Sequence, residues 1–150
     1  MARISAEFVT SAAGPGSFPK EELPEITFVG RSNVGKSSLI NALVRSQVAR
    51  TSAAPGKTRL ANFYRLKREG DAPFYLVDLP GYGYARGGDK AAAEFDALVG
   101  AYFHREGRDG FSPVRGAFLP VDSRHPGLDS DRRAWARLEG QDAEHGVPAT

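Results

Sequence analysis

Two short stretches of the chain carry residue types at spacings that do chemistry. Gly30-Arg31-Ser32-Asn33-Val34-Gly35-Lys36-Ser37 has the pattern G-x-x-x-x-G-K-[ST]. In such a loop the glycines let consecutive backbone N–H groups turn inward around phosphate oxygens, where a Cβ would obstruct them. Lys36 brings a point charge to the outer phosphates, and the Ser37 hydroxyl is a ligand for Mg²⁺. A helix beginning here aims its positive end at the same anion. The second stretch, Asp78-Leu79-Pro80-Gly81, is D-x-x-G directly after the apolar run Phe74–Val77. An acid at the C-terminal end of such a strand lies beside the phosphate loop of a doubly wound sheet. There it holds Mg²⁺, usually through water, while the Gly81 N–H reaches toward a γ-phosphate. D-x-x-G alone is a weak pattern, and Asp78 as a plain turn residue is its alternative. Its weight comes from the loop upstream.

These residues need a scaffold, and the flanking patterns supply one. Glu25–Val29 reads as a short β-rich strand ended by Gly30, and Ser37–Arg45 as a helix with Leu39, Ile40, Leu43 and Val44 at helical spacing. Asn62–Lys67 alternates like a half-exposed strand, Phe74–Val77 runs apolar like a covered one, and Glu69-Gly70-Asp71-Ala72 between them predicts a hairpin. Ala91–His104 carries Phe95, Leu98, Val99, Tyr102 and Phe103 on one stripe. Gly116–Val121 reads as a strand with an awkward Pro120, and Leu128–Glu139 as a helix with Trp135 and Leu138 as core candidates. Ahead of all this, Met1–Thr10 is expected to be a short strand or helical turn within a lead-in, and Ser11–Lys20 a Gly/Pro/Ser loop. The order predicts an α/β fold with a doubly wound, mostly parallel sheet.

Composition sets the outer limits. The chain has 150 residues, enough for one ordinary domain. Lys+Arg 20 against Asp+Glu 18 gives a net charge of +2, too weak a bias to imply nucleic acid by itself. The absence of cysteine removes a disulfide framework, a thiolate zinc site and a cysteine nucleophile together. Hydrophobic content of 41% and charge of 25% are globular values. No apolar run approaches the ~18 residues of a membrane span, and the N-terminus lacks a signal-peptide pattern. A soluble, cytoplasmic protein without a membrane partner is the expectation. His104, His125 and His145 have no ligand spacing and read as structural or surface residues. Arg132, Arg133 and Arg137 on one predicted helix read as a solvated face, with RNA contact as the functional alternative.

Between the two motifs, Thr51–Arg59 is polar and poor in core residues. It is either an ordinary loop or a switch segment ordered when Thr58 meets Mg²⁺ and a γ-phosphate, and composition leaves both open.

Four stretches together, GRSNVGKSSLINAL, ARTSAAPGKTRLANFY, LVDLPGYGYA and VDSRHPGLDSD, resemble the EngB/YihA (YsxC-like) family of bacterial GTPases over about residues 20–148. The resemblance implies a Ras-like P-loop G domain over 25–150, with 1–24 as an N-terminal extension. It implies GTP and GDP binding, slow GTP hydrolysis, and service in assembly of the large ribosomal subunit, linked to cell division and septation. Carried onto this chain, the nucleotide-binding positions are Gly30, Arg31, Ser32, Asn33, Val34, Gly35, Lys36, Ser37 and Ser38 in the loop. Gly56, Lys57, Thr58, Arg59 and Leu60 match the first switch, and Asp78, Leu79, Pro80 and Gly81 begin the second. Lys36, Thr58 and Gly81 would serve catalysis. Mg²⁺ would sit on Ser37 and Thr58, joined by Asp78. Related GTPases with Asn at the Asn33 position hold K⁺ there, an option this chain shares.

The pattern also departs from the family. Tyr82 stands where many GTPases place a water-orienting Gln, so unassisted hydrolysis is expected to be weak. No N/T-K-x-D motif, the reader of the guanine edge, occurs in the chain; the only lysine after Lys67 is Lys90. The expectation is therefore a C-terminally incomplete or divergent G domain, with the strand at 116–121 left as an edge. The rivals are a phosphate-binding fragment without guanine specificity and an ATP-dependent P-loop enzyme.

Overall fold

The computed structural model describes residues 2–31, 35–49, 60–82 and 88–145, with only the backbone given for 140–145. Five strands form one sheet: β1 (Ile4–Ala12), β2 (Glu25–Phe28), β3 (Ala61–Arg68), β4 (Phe74–Asp78) and β5 (Val114–Phe118), in the spatial order β1-β3-β4-β2-β5. β2 pairs in parallel with β4 and β5, while β3 is antiparallel to both β4 and β1. Four strands thus run one way and only β3 runs against them, as expected of a mostly parallel Ras-like sheet. Three helices follow the sequence expectation: α1 (Lys36–Val44), α2 (Gly88–Phe103) and α3 (Asp129–His145).

Covering both sheet faces explains why β4 is so apolar. On one face Phe63, Tyr75, Val77 and Leu79 pack with Leu98, Val99, Tyr102 and Phe103 of α2, with Leu138 of α3 at the margin. On the other, Phe28, Tyr64, Leu66 and Leu76 pack with Ile40 and Val44 of α1. Each large side chain fully buried in this way stabilises by about 1.5–3 kcal/mol. The β3–β4 hairpin forms as read, turning at Gly70, whose φ of +88° suits a residue without Cβ.

The open choice at Met1–Thr10 falls to a strand, and other expectations change. The lead-in contains a nine-residue edge strand, β1, which hydrogen-bonds along β3 from Ile4↔Arg68 to Ala12↔Ala61. Ser5, Glu7, Phe8 and Val9 are all exposed, so no alternation announced it; β3 supplies its partner. Only half of the α1 stripe is core: Ile40 and Val44 are buried, but Leu39 and Leu43 face solvent. Trp135 is half exposed and is not a core residue, whereas Leu138 does pack. β5 ends at Phe118, two residues before Pro120, so the missing N–H of that proline breaks no ladder bond. Among the described residues β5 pairs only with β2 and is an edge.

Candidate functional site

The C-terminal ends of β2 and β4 meet at the point where the chain turns to opposite sides of β2, the usual crevice of an open α/β sheet. The ladder continues past the strand ends. Leu79 N–H donates to Phe28 O at 3.1 Å, and Tyr82 N–H to Gly30 O at 3.1 Å. The Asp78–Gly81 segment is thereby laid alongside the start of the glycine loop, with Arg31 and Tyr82 forming a parallel bridge.

α1 begins at Lys36 because Gly35 takes φ +93°, a left-handed conformation that glycine adopts without strain. Its first turn presents Lys36 and Ser37 to β4. Lys36 Nζ lies 3.8 Å from Asp78 Oδ1, and Ser37 Oγ donates to Asp78 Oδ2 at 3.4 Å. Asp78 is 4% exposed, and its Oδ1 has no hydrogen-bond donor among the described residues. Burial pushes the Asp78 carboxyl above its ordinary range, and the Lys36 ammonium and Ser37 hydroxyl pull it partly back. A buried carboxylate oxygen without a donor, beside a hydroxyl oxygen, is a donor set that suits a hard divalent cation.

The structure therefore brings together Gly30, Arg31, Gly35, Lys36, Ser37, Asp78, Leu79, Pro80 and Gly81, with Ser38 exposed one residue on and Leu60 exposed at the start of β3. Ser32, Asn33, Val34, Gly56, Lys57, Thr58 and Arg59 lie outside the described residues.

Two residues that the motifs did not single out shape the surroundings. Asn41, buried on α1, donates from Nδ2 to Ala49 O at 2.7 Å and accepts at Oδ1 from Ala49 N–H at 2.8 Å, stapling the exit of α1. Its signal was present: an amide three residues before Val44 on an apolar helix face must find partners. Asp131, 4% exposed in the first turn of α3, accepts at 2.9 Å from the Tyr82 hydroxyl. Nothing in the sequence links positions 82 and 131, which only the fold brings together.

A glycine loop closed by Lys36 at a helix start, with an acid at the end of the adjacent parallel strand, places the chain in the class of Ras-like P-loop G domains. Residues 25–124 match the family model described as a 50S ribosome-binding GTPase. The chain is 53% identical over 144 residues to a protein of Solibacter usitatus, covering 94% of the chain and 71% of that protein. It is 44% identical over 147 residues to one from Clostridium perfringens, covering 97% and 70%. It is 42% identical over 137 residues to one from Desulforamulus reducens, covering 91% and 63%. Each of these carries the name "Probable GTP-binding protein EngB". The chain belongs to the EngB family of GTP-binding proteins, and it spans 63% of the length of the Desulforamulus relative.

Proposed function

We propose that this chain is the phosphate- and Mg²⁺-binding part of a slow GTPase switch that acts in assembly of the large ribosomal subunit in the cytoplasm, with a consequent link to cell division and septation. The observation that carries the nucleotide part is the convergence of Lys36, Ser37 and the donor-poor Asp78 carboxylate at the ends of β2 and β4. The ribosomal part rests on the family description and on the EngB relatives.

In this reading the loop Gly30–Ser38 wraps the phosphates of GTP or GDP, and Lys36 neutralises the charge that grows on the outer phosphate oxygens. Ser37 and Asp78 would hold Mg²⁺, joined by Thr58 of the first switch. When bound, the ion would supply neutralisation of the phosphate charge. Asn33 offers a K⁺ position, and Gly56–Leu60 act as the first switch, ordered when Thr58 reaches Mg²⁺ and the γ-phosphate. Gly81 N–H approaches the γ-phosphate from the β4 side. Tyr82 has no carboxamide to orient water, so hydrolysis is slow until a partner or K⁺ assists. A helix long and apolar enough to cross a membrane does not occur among the described residues.

The test is a titration of GDP beside ADP, and of a GTP analogue beside an ATP analogue, with and without Mg²⁺, followed by co-sedimentation with 50S particles. Mg²⁺-dependent preference for the guanine nucleotides and co-sedimentation in the GTP-analogue state are expected. Exclusive adenine binding would restore the ATP-dependent enzyme. Turnover above ~1 s⁻¹ without partner would contradict the slow-switch reading, being far faster than unassisted small GTPases.

A further inference from the structure

We propose that Asp131 is a positioning residue for the second switch, acting through Tyr82 to hold Gly81 against the phosphate loop. The inference rests on the nucleotide-binding reading above and adds a residue, far away in sequence, to which that reading gives no role.

Tyr82 is held at two points. Its backbone N–H donates to Gly30 O at 3.1 Å, tying it to the first residue of the glycine loop. Its hydroxyl donates to Asp131 Oδ1 at 2.9 Å, tying it to the first turn of α3. Gly81 is the residue before Tyr82, so its placement relative to Gly30 depends on both ties. The ring itself packs at the edge of the α2 core, so the hydroxyl contact is not the only thing that orders it. Removing the hydroxyl leaves that packing in place but strands a buried carboxylate, and the double variant that also removes the carboxylate separates position from folding.

The far end of the relay has the character of a fixed anchor. Asp131 is buried in a first helical turn, where a carboxylate is favoured by the helix dipole, and its Oδ2 has no hydrogen-bond donor among the described residues. A buried acid that leaves one oxygen without a donor is costly. A purely structural site would have been as well served by an apolar residue of similar size. The Tyr82 hydroxyl is the one side-chain donor found for Asp131 among the described residues. The pair therefore joins the second switch to α3 through a single bond that can be made or broken without dismantling the core.

The experiment measures the dissociation constants of GDP and of a non-hydrolysable GTP analogue, and the single-turnover hydrolysis rate, for wild type, Tyr82→Phe, Asp131→Asn, Asp131→Ala and the double variant Tyr82→Phe/Asp131→Ala. Loss of one such hydrogen bond is expected to lower the affinity for the GTP analogue relative to GDP, and the hydrolysis rate, by about 5-fold in Tyr82→Phe. GDP affinity should stay within about twofold, because the γ-phosphate side alone is affected. Asp131→Asn keeps an acceptor and should stay near wild type. Asp131→Ala should match Tyr82→Phe, and the double variant should be no worse than either. A GTP-analogue/GDP ratio unmoved in Tyr82→Phe, with normal GDP binding, would overturn the proposal while leaving the nucleotide reading intact. So would additive effects in the double variant. A wild type that binds no guanine nucleotide would overturn both.

Discussion

The two ends of the β2–β4 pair each bury a carboxylate beside a cation, and they are built to opposite ends. At the N-terminal end, Glu25 of β2 stands beside Tyr75 of β4 and receives a short hydrogen bond from Arg105, just past the end of α2. The Arg105 guanidinium carbon lies 5.0 Å from the ring centroids of both Phe18 and Tyr102, so rings fill the sides that acceptors leave free. At the C-terminal end, Asp78 has its cation 3.8 Å away and an oxygen without a donor. Burial raises the pKa of both acids. The first end pairs its acid at hydrogen-bond distance and clamps the Phe18 segment, β2 and the exit of α2 together, although Arg105 Nε and the Tyr102 hydroxyl are themselves buried without a hydrogen-bond partner among the described residues. The second leaves charge and lone pairs for something that is not protein. A buried ion pair by itself therefore says little about function; whether the acid's own oxygens are satisfied at hydrogen-bond distance says more.

The contrast can be broken first at the closed end, where the largest effect is expected. Arg105→Ala leaves Glu25 buried without its cation and removes the guanidinium from between the rings. It should cost about 3 kcal/mol or more in a urea titration, with GDP affinity within twofold of wild type. Lys36→Ala should do the reverse: at least about 30-fold weaker GDP binding by titration calorimetry, roughly 2 kcal/mol, with a much smaller change in unfolding free energy. If Lys36→Ala unfolds the protein as Arg105→Ala does, the open end is structural and the contrast fails. Asp78→Asn sharpens it further. Replacing a carboxylate that burial disfavours should leave folding stability equal or higher, while Mg²⁺-dependent GDP affinity falls by about 10-fold, roughly 1.4 kcal/mol. A stability loss in Asp78→Asn comparable to that of Arg105→Ala would mean that the two acids play the same part.

The open end was largely legible in the sequence because its chemistry is local. Gly30–Ser37 and Asp78–Gly81 are contiguous, and the strand and helix that position them show their own periodicity. The closed end was not legible, because Phe18, Glu25, Tyr102 and Arg105 share no motif and meet only once the sheet has formed. The same holds for Tyr82 with Asp131. Element types were read correctly where the hydrophobic period was strong, as in α2 and β4. They stayed open or went astray where a tertiary partner decides: Met1–Thr10 allowed a strand or a helical turn and is a strand because β3 pairs with it, while Leu39, Leu43 and Trp135 are exposed although their types suggested burial.

The smallest expected effect is also the most direct test of how the closed end balances. The Glu25 carboxyl is raised from its ordinary value of 4.5, chiefly by burial, with Arg105 opposing. The folded state then holds the Glu25 proton more tightly than the unfolded chain does. Between pH 4.5 and the raised value the native protein binds more protons, so unfolding free energy falls as pH rises. This contribution is fully present below the unfolded pKa and is lost as pH climbs through the folded one. Glu25→Gln keeps an oxygen acceptor for Arg105 but cannot titrate. The stability advantage of wild type over Glu25→Gln, measured by urea titration from pH about 4 to 7, should therefore shrink with rising pH and then level off. An advantage that grows with pH would mean that attraction to Arg105 outweighs the cost of burial, and that the closed end is held by its charges rather than in spite of them.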